Sequence, residues 1–103
     1  RNEMIIVNLT VVPIGTGTPS LSAYVADVQR RLEEAGFEPH LHAMGTVLEV
    51  DALERAFDAA KIIHNAPFDA GALRVVTSIS IDERRDKKGS IEQKLRSIRE
   101  KLS

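Results

Sequence analysis

The sequence contains no cysteine and no tryptophan. The first absence excludes a disulfide framework, a thiolate nucleophile and any thiolate metal site. It suits a reducing compartment, and a cytoplasmic address is the expectation. Aromatic residues make up only 4% of the chain, so one copy has too few rings to build a full cage around a cationic ligand. No apolar run reaches the roughly 18 residues that a membrane span requires, and residues 4–12 are too short and too β-branched for a signal peptide. A dominant charge is missing too: 14 Lys+Arg stand against 15 Asp+Glu, a formal net charge of -1. That balance removes the bulk attraction behind non-specific nucleic-acid binding. Neither nucleic acid nor membrane is expected as a partner.

What is present is the mixture of a soluble fold, 43% hydrophobic and 28% charged over 103 residues. Such a length suits one domain. Arg1, Asn2 and Glu3 precede Met4, the first residue able to initiate, and are expected to be a tag remnant or a frayed end. The domain is therefore taken as residues 4–103.

Periodicity supplies the elements. Residues 4–12 alternate as a strand that should stop at Pro13, with Ile5, Val7, Leu9 and Val11 on one face and Ile6, Asn8, Thr10 and Val12 on the other. A Gly/Thr/Pro-rich loop over residues 14–19 leads to a helix over 21–35, capped by Ser20, ended by Gly36 and striped by Leu21, Val25, Val28 and Leu32. Strands follow over residues 37–44 and 46–50 around a tight turn at Gly45. Asp51 and Glu54 form a capping signature for a helix to about residue 70, with Leu53, Phe57, Ala60 and Ile63 on its apolar side. Pro67 should kink or break that helix near residues 64–66, and Gly71 should close it. A strand over residues 73–81 and a capped helix from Ser90 through Leu102, striped by Ile91, Leu95, Ile98 and Leu102, complete the chain.

The order is βαββαβ plus a C-terminal helix, an α+β class. It fits a ferredoxin-like sandwich, a four-stranded antiparallel sheet with two helices on one face. The other face would carry Ile6, Asn8, Thr10, Val12, His40, His42, Met44, Val47, Glu49, Val76, Ser78 and Ser80. Such a mixed surface, with the apolar stripe of the last helix, points to self-association.

Several groups carry possible chemistry. The loop Gly15-Thr16-Gly17-Thr18-Pro19-Ser20 joins a strand to a helix, where backbone amides can receive an anion or a polar ligand atom, although it is neither a dinucleotide fingerprint nor a Walker loop. The alternative is a structural turn. His40 and His42 share a strand face, where a metal with Glu49 competes against plain surface histidines; no metal site is assigned. Glu49 on the open face needs a positive or hydrogen-bonding partner if it is buried there. His64 reads as structural. Arg84 and Arg85 read as a solvated loop or as half of an anion clamp. No Ser, His and Asp pattern forms a nucleophilic triad, so no catalytic residue and no cofactor is called.

Three blocks, residues 11–25 (VVPIGTGTPSLSAYV), 44–49 (MGTVLE) and 81–87 (IDERRDK), resemble the small thiamine-binding proteins once filed as an uncharacterised family. The resemblance covers nearly the whole chain from Met4. It implies a ferredoxin-like binding protein rather than an enzyme, assembled as a tetramer built from dimers. It is similar as well to repeats of larger proteins that bind thiamine or its hydroxymethylpyrimidine part. The positions it carries over are Thr10, Gly15, Thr16, Gly17, Thr18, Ser20 and Ser22, then Met44, Gly45, Thr46 and Glu49, with Arg84 and Arg85 as an anion or interface site. Pro19 stands where many relatives have Ser. For such a ligand Val12, Met44 and Val47 would offer an apolar slot, Asn8, Thr10, Thr16, Ser20 and Ser78 hydrogen bonds, and Glu49 charge. A carboxylate 4 Å from the thiazolium attracts it by about 4 kcal/mol before desolvation at an effective dielectric of 20. The alternative function is a structural or regulatory oligomeric module with an anion-binding site.

Overall fold

Runs of β-branched residues build the sheet first. The computed structural model describes residues 4–17, 21–86 and 91–102. The strands are β1 (Ile5–Ile14), β2 (His40–His42), β3 (Gly45–Val50) and β4 (Arg74–Glu83), and the helices α1 (Ser22–Glu34), α2 (Leu53–Asp69) and α3 (Ile91–Leu102). The strands pair antiparallel in the order β2-β3-β1-β4. That order, with α1 and α2 as crossovers, is the expected ferredoxin-like α+β sandwich.

β1 outruns the expectation. It continues through Pro13, which pairs with Val75, to Ile14 opposite Arg74. Its pairing with β3 ends at Leu9, so beyond that point only β4 flanks it. A strand with one free side tolerates the missing proline donor. β2 is much shorter than the 37–44 expected. Phe37 is drawn into the core at 7% exposure, which leaves three residues to pair as an edge.

The core lies between the sheet and the two crossover helices. Ile5, Val7, Leu9, Leu48 and Val50 meet Val28, Leu32, Phe37, Ala56, Ala59, Ile63 and Ala66 there. Both helices end alike. At α1 the Gly36 amide donates to the Glu33 carbonyl and the Phe37 amide to that of Leu32; at α2 Gly71 donates to Phe68 and Ala72 to Pro67. Gly36 and Gly71 have φ of 90° and 101°, the left-handed turn this ending demands. The two glycine stops read from the sequence are therefore real.

α2 departs from expectation in three ways. It starts from Ala52 with no side-chain cap, so Asp51 and Glu54 form no capping box. It buries Ala56, Ala59, Ile63, Ala66 and Pro67, while Leu53 and Phe57 are 41% and 49% exposed. Small residues face inward because α2 must approach both α1 and the sheet. It also runs unbroken through Pro67. The proline sits in the last turn, where one helical hydrogen bond is lost and burial of the ring offsets it. Arg31 ties the helices together, 2.8 Å from Asp69 and 3.0 Å from Asp27. Its hydrogen bond to Asp69 holds the guanidinium above its usual pKa.

α3 keeps the predicted stripe but buries none of its residues. Leu95, Ile98 and Leu102 are all exposed. The expected cap, Ser90, lies outside the described residues.

Candidate functional site

Strand pairing decides which side chains share the uncovered face of the sheet. Asn8 lies between Val47 and Ser80, Ile6 between Glu49 and Asp82, Thr10 beside Ser78, and Val12 beside Val76. Directly paired residues project to the same side. Their chain neighbours Ile5, Val7 and Leu9 are buried under the helices. The parity read from the sequence thus holds for Asn8, Thr10, Val12, Glu49 and Ser78.

Asn8 is held by a residue two strands away. His42 Nε2 lies 2.9 Å from Asn8 Oδ1, and His42 Nδ1 accepts the Met44 backbone amide at 3.1 Å. An Nδ1 that accepts leaves the proton on Nε2, so His42 donates to Asn8 and the Asn8 amide nitrogen is turned to the open face. β3 lies between them, and contact across it depends on Gly45, which pairs with His42. A Cβ at Gly45 would fall 2.6 Å from the Leu9 carbonyl oxygen, 2.8 Å from Thr10 Cγ2 and 3.5 Å from Asn8 Oδ1. The glycine of the Met44-Gly45-Thr46 block is the gap through which histidine and asparagine touch. Sequence reading weighed His42 as a plain surface histidine against a metal ligand shared with Glu49, and missed this role. The signal was a glycine on the same strand face, between the two.

Thr10, Val12, Ser78 and Val76 lie where β1 leaves for the loop toward α1. Val12 and Val76 are 42% and 45% exposed, an apolar pair beside the hydroxyl pair of Thr10 and Ser78. Gly15 and Gly17 turn the loop with φ of 75° and 81°, and Thr16 between them is half-buried. Ser22 is the first residue of α1 and is exposed. Thr18 and Ser20 lie outside the described residues.

Three positions carried over by the resemblance are placed elsewhere. Met44 stands in the β2–β3 turn at 78% exposure. Thr46 points to the helix side, 6% exposed, with its hydroxyl donating to Gln29 Oε1 at 3.2 Å, so it braces β3 against α1 from beneath the face. Glu49 is on the open face but opposite Ile6, four residues and about 13 Å along β1 from Thr10. Its carboxylate accepts the Ile91 backbone amide at 2.5 Å, where the N-terminus of α3 favours negative charge. The hydrogen-bonding partner that Glu49 needs is thus a helix start.

The paired arginines follow β4. Arg84 makes a bidentate contact with Asp86, at 2.5 and 3.0 Å, which holds its guanidinium above the usual pKa; Arg85 contacts Glu83 at 2.9 Å. His64 Nδ1 lies 2.7 Å from Thr77 Oγ1 and its ring meets the Phe68 edge, a structural tie between α2 and β4. Among the described residues no three His, Asp or Glu gather as a metal site requires. Among them, too, no helix is long and apolar enough to cross a membrane.

With this geometry in place, known proteins align closely. The chain is 47% identical to the UPF0045 protein YqgV of Bacillus subtilis, covering 96% of this chain and 98% of that one. The crystal structure of hypothetical protein MJ1052 from Methanocaldococcus jannaschii superposes with a TM-score of 0.83 at 35% identity, over 92% of this chain and 95% of that one. A Thermotoga maritima protein whose name ties it to thiamine biosynthesis or salvage shares the fold, with a TM-score of 0.70 at 21% identity over 92% and 98% of the two chains. The sequence profile described as thiamine-binding protein matches residues 7–99. Most of the domain, from the first strand through the last helix, lies within that match: the chain belongs to the thiamine-binding protein family.

Proposed function

We propose that the protein is a non-catalytic binding protein for thiamine or its hydroxymethylpyrimidine part, acting in the cytoplasm as a homodimer that assembles into a homotetramer. The observation that carries this reading is the row of Asn8, Thr10 and Val12 along β1, with Ser78 and Val76 in register beside it. An aminopyrimidine is flat, apolar on its faces and hydrogen-bonding at its edge. The Val12 and Val76 pair offers a surface to stack on, and Asn8, Thr10 and Ser78 offer edge partners. The loop residues Gly15, Thr16 and Gly17, with Ser22 at the start of α1, follow the end of this strip, and Gly45 and Thr46 set the backbone of β3 beside it. A thiazolium joined by one methylene to a pyrimidine at Thr10 and Asn8 points along β1 toward Ile6, the end where Glu49 and Asp82 stand on either side. Assembly draws on the unpaired outer edge of β4 and the uncovered stripe of α3, with Arg84 and Arg85 next to both.

Isothermal titration tests the reading with thiamine and with hydroxymethylpyrimidine. Saturable binding of both, weakened by Thr10→Val and Ser78→Ala, is expected. Absence of heat at millimolar ligand overturns it. A second reading, an oligomeric module without a small ligand, rests on the exposed Val12, Val76, Leu95 and Ile98. It predicts a ligand-independent tetramer and no heat.

A further inference from the structure

α3 does not press its apolar stripe onto the sheet. It stands over the end of the open face and borders a half-open cavity of about 560 Å³ with the start of β1 and the end of β4. The floor is Ile6 and Asp82; the walls include Arg84, Lys94, Arg96 and Lys101. Four cationic side chains and one carboxylate thus line a single cavity in a chain whose net charge is -1. Lys94 is held by Asp82 at 2.7 Å and Arg84 by Asp86. Arg96 and Lys101 make no ion pair with any described residue. The two lie five residues apart on α3 and both line the cavity, so a multivalent anion within it can be attracted by both charges.

We infer that this cavity binds a phosphate or diphosphate group, with Arg96 and Lys101 as its principal contacts. Arginine matches phosphate oxygens through two parallel N–H donors, and lysine adds a point charge. Ile6 belongs both to the cavity and to the open face. The cavity therefore continues the strip that begins at Thr10, about 13 Å away along β1. Resting on the function proposed above, this assigns the group to a phosphorylated form of the ligand: pyrimidine beside Thr10, thiazolium next to it on the Ile6 side, and the extended phosphate arm reaching past Ile6 to α3. Glu49 serves both parts, since its bond to the Ile91 amide holds the helix that carries the cations.

Titration with pyrophosphate, thiamine and thiamine diphosphate tests this on the intact chain and on an Arg96→Ala/Lys101→Ala variant. Both positions are exposed, and circular dichroism checks that the variant keeps its helix content. Expected is saturable pyrophosphate binding, and thiamine diphosphate at least tenfold tighter than thiamine. The double variant should lose both effects while its thiamine affinity stays within twofold. Pyrophosphate binding that vanishes in the variant, with no thiamine binding in either protein, supports the anion site and overturns only the thiamine reading. Thiamine binding with no gain from the diphosphate and no heat from pyrophosphate overturns the anion site alone. Equal losses for thiamine and its diphosphate in the double variant also overturn it.

Discussion

His42 and Asn8 sit on strands that do not touch, yet their side chains are 2.9 Å apart because the residue between them on β3 is Gly45. A histidine acting as a brace fixes an amide that would otherwise rotate freely on a half-exposed face. Removing the ring should leave the core intact and affect the ligand. For His42→Ala we expect thiamine and pyrimidine affinities to fall about tenfold, a change of about 1.4 kcal/mol, with little change in melting temperature. Calorimetry and a thermal melt on the same sample check this.

Gly45→Ala is a harsher change at the same place. The new methyl meets the Leu9 carbonyl, a backbone atom that cannot swing aside. Overpacking of this kind costs about 1–3 kcal/mol. Urea denaturation should show that loss, and ligand affinity should fall with it because the bridge over β3 is blocked.

Substitutions on α2 distinguish its two faces. Ile63 is 1% exposed, whereas Phe57 is 49% exposed. Ile63→Ala should destabilise by about 2–5 kcal/mol. Phe57→Ala should cost about 0.5 kcal/mol or less, as exposed substitutions do. Equal losses in chemical denaturation would restore the apolar face read from periodicity.

Glu49→Gln removes a charge from the N-terminus of α3. Such a charge contributes about 0.3–1 kcal/mol, so the first amides of α3 should exchange hydrogen faster. The same change should weaken cationic thiamine several-fold and leave the neutral pyrimidine unaffected. Equal loss for both ligands would remove Glu49 from the thiazolium end.

Local rules were enough for much of this molecule. Alternation along residues 5–12 and 74–81 sets strand faces because side chains on a strand point to opposite sides, whatever the neighbours. Gly36 and Gly71 stop helices because few other residues tolerate a positive φ. The sandwich and the parity of Asn8, Thr10 and Glu49 follow from such rules, and the three family blocks are legible in the chain itself.

Tertiary structure decided the rest. That Leu53 and Phe57 face out while Ala56 and Ala59 face in depends on how closely α2 approaches its neighbours, a distance no single helix encodes. Pro13 remains in a strand because β3 ends beside Leu9. The pairing of His42 with Asn8 needs three strands in register, and the use of Glu49 at the start of α3 needs two elements that are 42 residues apart in the chain. Hydrophobic pattern is a property of neighbours in sequence. A hydrogen bond is a property of neighbours in space, and here only the assembled sheet brings those neighbours within reach.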